Sequence, residues 1–389
     1  MHILNIMQCT NLGGTEHATL SLMQGLQERG HSFEVISTHP LGMFNSKLKQ
    51  NCIPAVGVPY VGKLGWRSHF QFRRAVRSVQ ADAVIMSGPT ITGILALSAR
   101  PRERRVLAVH FHHTGVNSRW AWQTLYRLAM ARFQAITFPS DFVRHEALDI
   151  LPALEPISHT VYNPLTIPPL ASAEAKASAR ARLGLPLDRP LVGNAGQIIK
   201  RKRFDVFLQV AARVLERIPE AMFVIAGDGV ARAELEELAR KLRISDHIHW
   251  VGWQTKMDEF YPALDIMLFN SDWDAMGLSP MEAAACGVPV VASLLHGGLS
   301  EIMGNGAAAL LIAKHDVEQM AVACVELLEN HSLAREKGLF GRERIATRCS
   351  VAEATDRFEQ LLGIDRATEF AATAPVLESS LLASSESHQ

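Results

Sequence analysis

SDWDAMGLSPMEAAACGVPVVA, residues 271–292, runs from an acidic loop into a helix and then into a strand. The helix is predicted over Met281–Cys286 and the strand over Val288–Ala292, a β-branched run of the kind that is buried in a parallel sheet. Asp274 and Glu282 have seven residues between them across this transition, one on the loop and one near the helix start. A carboxylate binds vicinal hydroxyls well because it offers two acceptor oxygens, so Glu282 suits a ribose diol and Asp274 suits sugar hydroxyls. A carboxylate that simply favours a helix N-terminus explains Glu282 but leaves the acidic loop unexplained.

The same alternation extends in both directions. Ile266–Phe269 precedes the stretch as a strand, and Leu191–Ala195, Met222–Ala226, His247–Val251 and Ala308–Ile312 read as further strands with helices between them, such as Arg232–Leu242. In the first half, Ile3–Gln8, Phe33–Ser37, Ala83–Met86, Val106–His110 and Ala135–Phe138 are strand runs, and Glu16–Arg29 is an amphipathic helix. Pro and Ala crowd Tyr162–Ala173, which marks a linker. The expected fold class is therefore α/β, with two doubly wound, Rossmann-like domains facing a cleft at the carboxyl ends of their strands. Residues 1–165 form the first domain and 174–350 the second. A helix within 351–366 packs back toward the first, and the Ala/Ser-rich tail 367–389 is expected to be disordered.

A chain of 389 residues agrees with two cores. Its five cysteines form no CxxC pair and no Cys/His ligand spacing, which argues against a disulfide framework or structural zinc and for a reducing, cytoplasmic setting. No signal peptide or membrane span is predicted; the least polar stretch, Ala81–Ala99, holds Asp82, Pro89 and two glycines and reads as a strand, loop and helix. Formal charge is zero overall, yet residues 1–165 carry 16 Lys and Arg against 9 Asp and Glu, and the remainder 23 against 30. Arg67, Arg73, Arg74 and Arg77, with Arg100, Arg102, Arg104 and Arg105, make a basic first half. That face suits anionic lipid or a phosphorylated acceptor, or is a solvated surface without a partner, and the two readings weigh equally. No nucleic-acid partner is expected.

Further motifs sit where strands end. Gly13-Gly14-Thr15-Glu16 opens a helix after the first strand; its glycines let backbone approach a ligand, and the helix start favours an anion. It is not GxGxxG, so a dinucleotide cofactor is a weak reading, and a plain tight turn has even weight. After the first strand of the second half, Gly196-Gln197-Ile198-Ile199 leads into Lys200-Arg201-Lys202-Arg203, a position that suits a diphosphate better than a solvated turn. His110, His112 and His113 cluster at a strand end, with no carboxylate or cysteine beside them to favour a metal. Asp272-Trp273-Asp274 spells DxD, a manganese motif of single-domain glycosyltransferases, but two α/β halves and a basic loop make coincidence the better reading.

GGTE, the segment 196–202, Gly227-Asp228-Gly229 and the run GLSPMEAAACGVPVVAS together resemble family-4 glycosyltransferases, retaining enzymes of the GT-B fold, over about residues 1–362. The last run is the most specific. The resemblance implies a nucleotide-sugar donor, a glycan or lipid-linked acceptor, and no cofactor or metal. It places Gly13 and Gly14 near the donor phosphate or the acceptor, Lys202 on the diphosphate, Glu282 on the ribose, and Asp274 and His110 on the transferred sugar. Gln197, Gly277, Leu278, Gly297 and Gly298 line the same donor pocket. The chain departs from the family where Gln197 replaces an Arg and where Asp274 replaces a Glu. Lys200, Arg201 and Arg203 are the available substitutes for the missing cation. The expected reaction moves a hexose-type sugar in envelope or extracellular polysaccharide synthesis, at the inner face of the plasma membrane if the basic half docks there. The competing readings are an idle or hydrolytic nucleotide-sugar-binding protein and a GT-B epimerase. A phosphorylase needs a pyridoxal lysine, which no sequence context marks.

Overall fold

The computed structural model describes residues 1–364 except 9, 11–12, 59–65, 101–102, 110–117, 255 and 295–296. His110, His112 and His113, and the tail 367–389, thus lie outside the described residues. The first sheet contains β1 (His2–Met7), β2 (Ser32–Ser37), β3 (Ala55–Gly57), β4 (Ala83–Ser87), β5 (Arg104–Ala108), β6 (Ala135–Phe138) and β7 (Ser158–Thr160). The second contains β8 (Leu191–Ala195), β9 (Met222–Ala226), β10 (Ile248–Gly252), β11 (Ile266–Phe269), β12 (Val290–Ser293) and β13 (Leu310–Ile312). Their orders are 3-2-1-4-5-6-7 and 10-9-8-11-12-13, parallel throughout.

Period-two side-chain direction explains why these runs need two apolar faces. Ile3 and Ile85 pack into one core of the first domain, whereas Leu4, Val84 and Met86 pack into the core on the other face. In the second domain, Met222 and Val224 serve one core and Phe223 and Ile225 the other. The strand order of each sheet reverses once, between β1 and β4 and between β8 and β11, and ligands of open α/β sheets bind outside such reversals. The loops that follow β1, β8 and β11 are those carrying the GGTE, basic and acidic motifs.

The short edge strands β3 and β7 are additions to the sequence reading. The helix of the acidic segment starts at Leu278, three residues before the predicted Met281, and ends at Ala285. Glu282 is therefore its fifth residue and not near its start. Part of the expected basic face is internal. Arg100 donates to the carbonyls of Val76 and Val79, both at 2.6 Å, and to Glu103 at 2.9 Å. Arg105 also reaches Glu103, at 3.2 Å. Both arginines are buried structural cations, so neither can meet a membrane.

The helix Val351–Leu361 crosses back onto the helix Gly14–Glu28 of the first domain. Gly25 makes room for it: a Cβ there would lie 2.4 Å from Thr355 Oγ1 and 2.5 Å from Val351 Cγ1. Buried Glu359 accepts from Arg29 at 2.6 Å and pairs with His31 at 2.9 Å. Removing Glu359 leaves Arg29 with Asp356 at 2.5 Å but takes the carboxylate away from the buried His31 side chain. Glu359→Ala is expected to cost about 3 kcal/mol and lower the first thermal transition; an unchanged melting curve contradicts this.

Candidate functional site

The basic loop after β8 is held by backbone lying on backbone. Ile198 donates to the Asp228 carbonyl at 2.9 Å, and Ala231 donates back to the Ile198 carbonyl at 3.2 Å. A Cβ on Gly227 would come 1.9 Å from Gly196 O, and one on Gly229 would come 2.3 Å from Ile198 O. The Gly227-Asp228-Gly229 motif is thus the space that the diphosphate-candidate loop needs. Lys200–Lys202 form one 3-10 turn, and Arg203 follows in the left-handed region with φ 49°. The Arg203 guanidinium is held by Asp205 at 2.8 Å and by Asp272 at 3.3 Å.

The acidic loop after β11 docks on that turn. Asp272 N donates to the Arg201 carbonyl at 2.9 Å. Asp274 Oδ2 accepts from Lys202 Nζ at 2.6 Å, with Arg201 Nη1 at 3.5 Å, and Oδ1 accepts from Gly277 N at 3.2 Å. Gly277 adopts φ 69°, a conformation that glycine reaches without strain. Burial alone pushes the Asp274 carboxyl upward. Lys202 and then Arg201 outweigh it and hold the group below the usual carboxylate range. The two aspartates of the DxD stretch thus take different partners: Asp272 meets Arg203 and His315, Asp274 meets Lys202.

Half-buried Glu282 accepts a 2.5 Å hydrogen bond from the hydroxyl of fully buried Tyr261. Burial raises the Glu282 carboxyl above its ordinary value, and the Tyr261 bond opposes that rise. The Cys286 thiol, just past the end of the helix, is pushed up to about 12 by burial and then by the Glu282 charge.

The two domains meet at this place. A Cβ on Gly14 would lie 2.6 Å from Leu278 Cδ1, so the glycine pair opening the first-domain helix faces the helix start that follows the acidic loop. Gly13 is the residue before that helix, with φ −159°. Gly298 donates to the Ala275 carbonyl at 3.0 Å, and a Cβ on it would strike Met276 Sδ at 2.2 Å. Glu301 spans the domains: its carboxylate accepts from Asp141 N at 3.0 Å and Phe142 N at 2.6 Å, capping the helix Asp141–Ile150, and from Tyr162 Oη at 3.4 Å.

Gly14, Lys202, Asp274, Gly277, Leu278 and Gly298 are therefore brought together, and Glu282 lies on the helix that Leu278 opens. Gln197 is exposed on the same loop as Lys202. The sequence reading did not single out Tyr261 or Glu301. The available signal for Glu301 was its position three residues after Gly298, on the short helix Gly298–Ile302. Glu301→Ala removes a bridge between domains and is expected to enlarge the radius of gyration in small-angle scattering. A profile identical to wild type counts against the bridge holding the domains together.

Two family models match the chain. One, described as glycosyl transferases group 1, covers residues 175–344. The other, described as glycosyltransferase family 4, covers residues 12–165. A lipopolysaccharide core biosynthesis glycosyltransferase, LpsE of Rhizobium meliloti, is 30% identical over 183 residues, 47% of this chain and 52% of that protein. A GDP-mannose-dependent alpha-(1-6)-phosphatidylinositol monomannoside mannosyltransferase of Mycolicibacterium smegmatis is 25% identical over 260 residues, 63% of this chain and 66% of that protein. The matched part spans about half the length of the first curated relatives. The crystal structure of Anabaena Alr3699/HepE in complex with UDP superposes with a TM-score of 0.82 at 18% identity. That superposition covers 93% of this chain and 100% of the other, a likeness of fold.

Proposed function

We propose that this chain, which belongs to the family-4 glycosyltransferases and has the GT-B fold, moves a hexose-type sugar from a nucleoside diphosphate onto a glycan or lipid-linked acceptor, with retention at the anomeric carbon. The observation that carries the reading is Lys202 paired with Asp274 at the strand reversal of the second domain, beside the contact of Gly14 with Leu278. Lys202 takes the diphosphate and Glu282 the ribose, while Asp274 and His110 serve the sugar. Breaking the anomeric C–O bond leaves negative charge on the diphosphate. Cations fixed at that position favour the transition state over the bound donor. No protein nucleophile and no metal enter this reading. The leaving phosphate takes the acceptor's proton on the face where the new bond forms.

The Rhizobium relative's part in lipopolysaccharide core biosynthesis supports an envelope acceptor. Peripheral contact with the inner face of an anionic membrane is part of the same reading. On the helix Trp66–Ser78, exposed Arg67, Phe70, Arg74 and Arg77 recur at helical spacing, and Phe70 is 63% exposed. Among the described residues no helix is long and apolar enough to cross a bilayer. Co-sedimentation with vesicles that does not rise with phosphatidylglycerol content removes this membrane contact from the reading.

Incubation with a panel of UDP-, GDP- and ADP-sugars tests the activity. Release of the nucleoside diphosphate from one of them, with proton NMR of the first-formed product showing the donor's anomeric configuration, is the expected result. Binding of a nucleotide without release from any donor favours an idle sugar-nucleotide-binding protein instead. His110→Ala is expected to lower turnover while nucleotide affinity stays within about twofold of wild type, as for an interaction made in the transition state. Equal losses in both contradict its place on the sugar.

A further inference from the structure

Three cations were available to serve where Gln197 is neutral, and their surroundings differ. Arg203 is occupied by Asp205 and Asp272, and its Nη1 also contacts His315 at 2.5 Å. Lys200 is exposed at the start of the turn. Arg201 alone converges with Lys202 on one oxygen, Oδ2 of Asp274, at 3.5 and 2.6 Å. Its guanidinium lies over the Trp273 ring, 4.4 Å from the centroid, and its Nη1 donates to the Trp273 carbonyl at 2.8 Å.

We infer that Arg201, held against Trp273, is the second cation for the donor's diphosphate and does the work that Gln197 cannot. The assignment rests on the donor-site reading above and adds a residue to it. A guanidinium carries five N–H donors in a planar fork, so the bond to the Trp273 carbonyl leaves others for phosphate oxygens. Stacking on an indole restrains the fork before any ligand arrives, which lowers the ordering cost of binding. Lys202 supplies a point charge beside it, and the pair presents two cations to a ligand with a charge on each phosphate. Trp273 thereby acquires a role as the platform that positions Arg201.

Calorimetric titration with UDP and GDP, and NMR titration with uridine and guanosine, separates the possibilities when applied to wild type, Arg201→Gln and Lys202→Gln. The expected result is that Arg201→Gln weakens the preferred diphosphate by about ten- to a hundredfold, the range of one hydrogen bond to a charged group. Its affinity for the matching nucleoside should stay within about twofold, because the nucleoside carries no phosphate for the guanidinium to meet. Unchanged diphosphate affinity overturns the assignment, as does an equal loss for nucleoside and diphosphate, which marks Arg201 as a loop brace. A loss in Lys202→Gln without one in Arg201→Gln defeats this inference alone. A wild type that binds no nucleotide, or a Lys202→Gln variant that loses nothing, defeats the donor-site reading and Arg201 with it.

Discussion

Lys202→Ala is expected to lower donor turnover by about a hundred- to a thousandfold, the effect of removing one preorganised group from the charge that develops on a leaving oxygen. Lys202 is only 16% exposed, held by Asp274 and lying 5.1 Å from the centroid of the Phe269 ring, so water is a poor substitute for its charge. The loss should appear in kcat and in kcat/KM together, because the leaving charge is greater in the transition state than in the bound donor. A rise in KM alone would make Lys202 a binding group only. The variant carries a second signature. The folded Asp274 carboxyl sits below its usual value, so its pairing contributes stability above the unfolded pKa and loses it as pH falls through the folded one. With Lys202 gone that contribution shrinks, and the melting temperature should depend less on pH on the acid side.

Glu282→Gln is expected to weaken nucleotide binding by about ten- to a hundredfold while leaving the fold as stable as wild type or more so at neutral pH. The two effects have one cause. Burial raises the Glu282 carboxyl, so the folded state favours its protonated form. Its contribution to stability is full below the unfolded value of about 4.3 and is lost as pH rises through the folded one. At neutral pH the ionised side chain therefore costs stability, whereas a glutamine keeps the acceptor for Tyr261 without the charge. Any gain in melting temperature should fade as pH is lowered toward the unfolded value. Unchanged nucleotide affinity removes Glu282 from the site, and a large fall in melting temperature makes it a structural residue.

The fold was legible where burial on both faces forces continuous apolar runs. Ala135–Phe138, Leu191–Ala195, Met222–Ala226 and Ile266–Phe269 were read residue for residue. β3 and β7 escaped because a three-residue edge strand such as Ser-His-Thr carries no apolar run. The helix after the acidic loop starts three residues earlier than expected, and Pro280 is compatible with that start. It is the third residue of that helix, where the missing N–H would find no intrahelical partner. Pairings distant in sequence were not legible: Lys202 and Asp274 are 72 residues apart, and Glu301 meets its capped helix across 159. The arginines 100 and 105 show the converse error, since a run of charge reads as surface until its carbonyl partners are known.

A crystal structure with the bound nucleoside diphosphate decides where the donor sits. The ribose hydroxyls are expected on Glu282, the diphosphate against Lys202 at the Gly196–Lys202 turn, and the base held by the second domain. A nucleotide bound elsewhere, or one whose phosphates lie away from Lys202 while Asp274 keeps its 2.6 Å pairing, contradicts this placement.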